Sequence, residues 1–91
     1  MEIEYDEAKS QANFAKRKFN FVFAARVFND TSRVEERDDR FDYGEDRFKV
    51  IGMIDGKVYM VVYTPRKSTL RIISARLADK SERKRYADAQ V

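Results

Sequence analysis

Hydrophobic and polar residues follow two different patterns in the first third of the chain. Residues 2–5 alternate between acidic and apolar, which predicts a short strand. Asp6 suits the N-cap of a following helix, because its carboxylate can accept a hydrogen bond from a backbone N–H of the first turn. The spacing of alanines over 7–18 predicts that helix. A second helix is predicted over 21–28, where the apolar residues also fit helical spacing and Asn20 can cap the start.

The rest of the chain predicts a meander of strands and a closing helix. Apolar and β-branched residues predict strands over 32–37, 47–54, 57–64 and 69–75. Asp55-Gly56 predicts a tight hairpin, because glycine adopts the required positive φ at little cost. Pro65 is predicted to end the strand before it, since proline cannot donate a ladder hydrogen bond. Asp79 and Glu82 predict a capping box that opens a helix from residue 80 to about residue 88.

This order of elements predicts one α+β domain over residues 1–91. A chain of 91 residues is too short for two hydrophobic cores, and no repeat or linker divides it. We expect N-terminal helices, an antiparallel β-sheet and a C-terminal helix, with the helices on one side of the sheet. The other face of the sheet, or a groove at its edge, would then be free for a ligand.

Charge is distributed unevenly along the sequence. The formal net charge is +3, but residues 1–46 contribute −4 and residues 47–91 contribute +7. A basic half can face a polyanion such as nucleic acid, although a solvated charged surface explains the charge equally well. The sequence shows no targeting signal and no apolar stretch long enough to cross a bilayer, so we expect a soluble, cytoplasmic protein.

The side chains present restrict the chemistry that the protein can perform. The chain contains no histidine and no cysteine, which excludes Ser–His and Cys–His nucleophilic systems and zinc sites built from these ligands. The acidic residues between Glu36 and Asp46 could bind Mg²⁺, but they lack a fixed ligand spacing, and a solvated loop explains them better. The side chains that remain available for catalysis are those of Arg, Lys, Tyr and Glu. RNA cleavage suits these groups, because the ribose 2′-OH supplies the nucleophile and the protein needs only to hold the phosphate and move protons.

Three segments could supply those groups, and each has a structural alternative. Residues 43–47, Tyr-Gly-Glu-Asp-Arg, lie where a loop enters a strand, although an ordinary hairpin loop would look the same. Residues 71–76 place two arginines on and just after an apolar strand, where salt bridges to the acidic loop are an equal alternative. Residues 83–86, Arg-Lys-Arg-Tyr, predict a solvated basic helix surface. Tyr63 fits core packing, although its hydroxyl lies near a strand end.

These segments belong to a pattern that resembles the BrnT family of toxins nearly end to end. The matching stretches are Glu4 to Lys9 with Asn13, Ala24 to Asp30, Tyr43 to Arg47 with Ile51-Gly52, Arg71 to Arg76, and Glu82 to Tyr86. The strand Arg-Ile-Ile-Ser-Ala-Arg followed by a Glu-Arg-x-Arg-Tyr helix is the most specific part. One departure is Lys16-Arg17-Lys18, where the family usually carries Lys-His-Gly. It removes a favoured helix C-cap and a histidine that could move protons.

The resemblance implies a small RelE-like domain and an endoribonuclease that arrests translation without a metal or other cofactor. It also implies neutralisation by a BrnA-like antitoxin with a ribbon-helix-helix part, in a 2:2 assembly that contacts operator DNA only through the antitoxin. No membrane partner is expected. A non-catalytic module that binds the antitoxin and nucleic acid is the alternative, and direct DNA recognition is disfavoured because no helix-turn-helix pattern is evident.

On the matching positions we assign roles from the chemistry of the side chains. Arg47, Arg71 and Arg76 are predicted to bind phosphate, Glu45 to act as general base, and Tyr63 to donate a proton or stack. The residues predicted to bind RNA outside this catalytic set are Lys9, Lys16, Arg83 and Lys84.

Overall fold

A computed structural model describes residues 2–90. Its elements, in chain order, are β1 (Glu2–Tyr5), α1 (Glu7–Arg17), α2 (Phe21–Ala24), a 3₁₀ helix (Ala25–Asn29), β2 (Val34–Arg37), β3 (Phe48–Ile54), β4 (Lys57–Arg66), β5 (Thr69–Leu77) and α3 (Lys80–Asp88). The α+β class is therefore confirmed. Asp6, Asn20 and Asp79 each accept a backbone hydrogen bond as side-chain N-caps, as the sequence predicted.

The five strands form one sheet in the order β1-β5-β4-β3-β2. The pairs from β2 to β5 are antiparallel, as expected for strands joined by short connections. The prediction of a wholly antiparallel sheet is wrong, because β1 pairs with β5 in parallel, with Glu4 opposite Arg71. No turn joins these two strands, so local sequence does not fix their relative direction. The sheet is mixed.

Apolar residues cover both faces of this sheet. On one face, Phe21 and Val27 from the helical segment 21–29 pack against Val50 and Val61. On the other face, Tyr86 of α3 packs in a second cluster with Ile51, Met60 and Val62. The prediction that all helices lie on one side is therefore wrong. Near-continuous apolar residues in β3 and β4 explain this, since strands covered on both faces lose simple alternation.

Three local predictions also change. The predicted helix over 21–28 is α-helical only to Ala24 and then continues as a 3₁₀ helix. Pro65 does not end β4, which continues to Arg66. The strand tolerates this proline because β3 pairs with β4 only as far as Tyr63, so Pro65 lies where β4 has β5 as its one partner. Lys18 ends α1 in the left-handed conformation, with φ of 70°, without the glycine that usually favours it.

Candidate active site

One side of the sheet carries a row of polar and basic side chains. Side chains of cross-strand partners share a face of the sheet. Val62 of β4 lies between Lys49 of β3 and Ser74 of β5. Further along the same pair of strands, Thr64 lies opposite Arg71 and Met60 lies opposite Arg76. We call this side the basic face and define it by Lys49, Thr64, Arg71, Ser74 and Arg76. Helix α3 packs over one end of the same side. The part of the basic face that α3 does not cover therefore remains for a ligand.

A groove of about 380 Å³ opens on this face. It is lined by Ala12, Asn13, Lys16, Arg17, Arg40, Met60, Val62, Ser74, Ala75 and Arg76, and we call it the basic groove. Its floor is strand residues and its wall is the last two turns of α1. Four cationic side chains from three separate parts of the chain line it, so its field favours an anion.

Arg76 is fixed at the edge of the groove by a buried carboxylate. Its Nη1 and Nη2 donate to the two oxygens of Glu82 at 2.7 and 3.0 Å, and the Glu82 side chain is only 3 % exposed. Burial alone would raise the pKa of Glu82, but the hydrogen bonds from Arg76 and the Asp79 backbone N–H lower it below its usual value. A guanidinium has five N–H donors, so a bidentate pair leaves others for a phosphate.

Arg47 and Glu45 come together in the loop directly before β3 begins at Phe48. Arg47 Nε donates to Glu45 at 3.1 Å, and its guanidinium lies 4.1 Å from the centre of the Tyr43 ring. Arg66 approaches the same carboxylate at 3.6 Å. The backbone N–H of Asp38 donates to Arg47 O, and Thr64 Oγ1 donates to Asp46 O at 2.6 Å, which ties the loop to the sheet.

The loop itself is organised around a buried acid. Asp38 is 1 % exposed in its side chain and accepts two hydrogen bonds from the Arg40 guanidinium, at 2.8 and 3.0 Å, and one from Tyr43 Oη. The hydrogen bonds from Arg40 lower the pKa of Asp38 to about 2. Arg40 thereby reaches the basic groove from a folded loop.

The three predicted phosphate-binding arginines do not meet at one point. Arg71 lies beside Glu4 of β1, with 3.8 Å between Nη1 and the nearer carboxylate oxygen. Arg71 and Arg76 pair with Thr64 and Met60, four residues apart on β4, so they are separated by about 13 Å at 3.3 Å per residue. The structure thus distributes Arg47, Arg71 and Arg76 along the sheet, each beside its own carboxylate.

Tyr63 lies on the other side of the sheet. Its ring packs against Phe28 and Phe48, and its hydroxyl donates to Glu35 at 2.5 Å. Burial and the hydrogen bond to Glu35 raise the pKa of Tyr63. The structure does not bring it together with the basic face.

The four positions predicted to bind RNA separate into two groups. Lys16 lines the basic groove, whereas Lys9 is exposed on the same face of α1, one turn before the residues that line the groove. Arg83 donates to Ala78 O at 2.9 Å, and Lys84 pairs with Asp88 at 2.8 Å on the exposed side of α3. The structure places only Lys16 in the groove.

Comparison with known families decides the assignment. Residues 5–82 match the model of a family described as the ribonuclease toxin, BrnT, of type II toxin-antitoxin systems. The chain belongs to the BrnT family. The matched region contains Lys9, Lys16 and every position of the predicted catalytic set, and it ends before Arg83. No curated protein matches the sequence.

As a member of the BrnT family, the chain has a ribonuclease function and a protein antitoxin as its counterpart. The resemblance drawn from the sequence is confirmed. None of the helices within residues 2–90 has the length and apolar character needed to cross a membrane. Over the same residues, no three carboxylates are grouped as a metal site, since those of the acidic loop are held by arginines and backbone N–H groups.

Three residues of the basic groove or the basic face were not predicted as site residues from the sequence of this BrnT family member. Lys49 is half-buried at the β3 side of the basic face, opposite Glu36 of β2, and within residues 2–90 it forms no ion pair, since Glu36 pairs with Arg85. A charged residue between Phe48 and Val50 in an apolar strand was its available signal. For Arg17 the signal was its place where the family usually carries histidine, and Arg40 had none, because only the tertiary fold brings it to the groove.

Proposed function

We propose that the chain is a metal-independent endoribonuclease that cleaves RNA bound along the basic face, inhibits translation, and is silenced by a BrnA-like antitoxin. The observation that carries the proposal is the basic groove, where Lys16, Arg17, Arg40 and Arg76 surround a polar hollow in a family of ribonuclease toxins. Phosphate oxygens are the ligands that such a set of cations suits best.

The spacing of the arginines supports binding of consecutive phosphates rather than one. Arg76 contacts RNA at the groove, while Arg47 and Arg71 contact it at the Thr64 end of the basic face. Glu82 and Glu4 hold two of these guanidiniums in place and leave further N–H donors available. Positioning of this kind is what the chemistry requires, because the nucleophile is part of the substrate.

The cleavage step needs one proton acceptor and one donor. The ribose 2′-OH attacks the adjacent phosphorus and loses its proton to Glu45, and the bond from phosphorus to the 5′ oxygen breaks. Lys49 donates a proton to that leaving oxygen, since its ammonium is on the basic face. Arginines offset the charge that grows on the non-bridging oxygens. The products are a 2′,3′-cyclic phosphate and a 5′-hydroxyl. Tyr63 has no part in this scheme.

The experiment compares initial rates of RNA cleavage among purified variants. Glu45→Gln and Lys49→Met should each lower the rate by about 100-fold, the usual contribution of a general acid or base. Lys80→Ala, which removes an exposed lysine outside the groove, is the matched control and should cleave at the wild-type rate. Folded Glu45→Gln and Lys49→Met proteins with wild-type rates would refute the assignment.

The alternative is a non-catalytic module that binds RNA and the antitoxin. It is favoured by one observation: Arg47, Arg71 and Arg76 each already lie beside a carboxylate. RNA retained by the chain without cleavage supports this alternative, and the same rate measurement separates the two functions.

A further inference from the structure

An apolar surface lies beside the basic groove but outside it. A hollow of about 410 Å³ is lined by apolar side chains from α1, the segment after it, and strands β4 and β5. We call this surface the apolar patch and define it by Phe14, Phe19, Phe23, Tyr59 and Leu77. Phe14 is 54 % exposed and Leu77 is 50 % exposed. Contiguous exposed apolar side chains of this kind mark protein interaction surfaces.

The aromatic rings of the patch are held rigidly by one another. Phe19 and Phe23 both meet Tyr59 edge to face, with ring centres 5.1 and 5.5 Å apart. Phe19 and Phe23 are themselves 5.7 Å apart. These contacts, together with the Arg26 guanidinium 5.2 Å from the centre of the Phe23 ring, cover part of the ring surface and leave less of it for stacking of RNA bases. The packed rings instead form a fixed apolar surface on which apolar side chains of a partner can pack.

The rim of the patch is basic. Arg17, Lys18 and Lys57 line it, and none of the three forms an ion pair within residues 2–90. No acidic residue lines the hollow. An apolar floor with a positive rim is complementary to an amphipathic segment with apolar residues on one side and acidic residues on the other.

We propose that the apolar patch docks an acidic amphipathic segment of the protein antitoxin. A type II system supplies such a protein partner, and the patch combines exposed apolar area with unpaired cations on a rigid base. The claim that docking silences the enzyme rests on the proposed ribonuclease function. The docking itself does not depend on that function.

The position of the patch explains how an occupant would affect RNA. Arg17 lines both the patch and the basic groove. Leu77 follows Arg76 on β5, but it points to the opposite face with its partner Tyr59, so Arg17 is the residue that links the patch to the groove. An acidic segment seated on the patch therefore pairs with Arg17 and lowers the positive field of the groove.

The test measures binding of the purified product of the gene adjacent to that of this chain. Phe14→Glu and Leu77→Glu place a carboxylate on the apolar floor and should each weaken the dissociation constant at least tenfold. Met53→Glu is the matched control, because Met53 is also exposed but lies away from the patch, and it should bind like the wild type. RNA cleavage by the unpartnered Phe14→Glu and Leu77→Glu proteins should be unchanged, and circular dichroism verifies independently that they are folded.

A charge reversal tests the rim independently. Lys57→Glu should weaken binding at least fivefold at low salt and reduce the dependence of affinity on ionic strength. Lys67→Glu, at the other hairpin, serves as its control and should leave both unchanged.

Three results would overturn the proposal. One is wild-type affinity of Phe14→Glu and Leu77→Glu for the adjacent gene product, or no binding by the wild type. A second is a wild-type dimer that Leu77→Glu dissociates, which assigns the patch to a second copy of the chain. A third is loss of RNA affinity in Leu77→Glu with antitoxin binding retained. Because binding is measured without RNA, failure of the ribonuclease proposal alone leaves the expected binding result unchanged.

Discussion

Replacing Glu82 by Gln isolates the contribution of the ion pair that fixes Arg76. The amide has nearly the shape of the carboxylate, so packing of α3 is retained. In the native protein Glu82 accepts two hydrogen bonds from Arg76 and one from the Asp79 backbone N–H, at 2.7, 3.0 and 2.9 Å. Glutamine supplies one acceptor oxygen, and its NH₂ group would face another donor.

The expected loss follows from the burial of the two partners. Removing one partner of a fully buried pair costs about 3–5 kcal/mol. Arg76 is 31 % exposed and can be rehydrated, which reduces this value. One hydrogen bond to the amide oxygen also remains. We therefore expect the free energy of unfolding to fall by about 2–3 kcal/mol, or about 10–15 °C in melting temperature for a domain of this size.

The effect should depend on pH with a definite sign. The pKa of Glu82 is lower in the folded protein than its usual value of 4.5. Its contribution to stability is therefore complete above the unfolded pKa and is lost as the pH falls through the folded value. The stability difference between wild type and Glu82→Gln should be largest near neutral pH and should shrink below about pH 4.5.

Urea unfolding followed by circular dichroism, at several pH values from neutral to acidic, measures this difference. Asp88→Asn removes the exposed pair with Lys84 and is the control, with an expected cost below about 0.5 kcal/mol. A Glu82→Gln loss no larger than that of the control, or one that does not change with pH, would refute the reasoning.

Three further stability predictions use the same unfolding assay. Lys18→Gly should raise the free energy of unfolding by about 1 kcal/mol, because φ is 70° there and glycine adopts it without steric cost, and a decrease would contradict the cap geometry. Tyr86→Phe should lower the free energy of unfolding by about 1–2 kcal/mol, since the Tyr86 hydroxyl donates to Asp30 at 2.6 Å. The variant should also lack the titration of the Tyr86 phenol, whose pKa this hydrogen bond raises to about 12. Gly52→Ala should lower the free energy of unfolding by about 1–3 kcal/mol, because a Cβ would lie 3.1 Å from the backbone oxygen of Val27, and unchanged stability would show that the two segments separate easily.

Local signals in the sequence predicted most elements of the fold. Asp55-Gly56 is an example, since both residues have positive φ, as a tight hairpin requires. Features set by distant contacts were not predicted: the parallel pairing of β1, and the tolerance of Pro65 where β4 lacks one neighbour. Lys18 adopts a conformation that favours glycine, so a rule based on residue preference could not identify it.

The candidate site was predictable only in part, for the same physical reason. The sequence identified Arg76 and Lys16, which the fold brings to one groove. It could not show that Glu82 orients Arg76 or that the hydroxyl of Tyr63 is held by Glu35. Alternation along β4 did favour core packing for Tyr63, and the core contains it. Side-chain partners across the sheet depend on register, which the local pattern leaves open.

The chemistry of the RNA ends produced by the purified chain tests the central claim most directly. The chain is incubated with RNA in the presence of EDTA, and the new termini are identified by mass spectrometry and by their reactivity to phosphatase and kinase. Attack by the ribose 2′-OH without a metal predicts 2′,3′-cyclic phosphate and 5′-hydroxyl ends at an undiminished rate. Cleavage that EDTA abolishes, or products with 5′-phosphate ends, would contradict it.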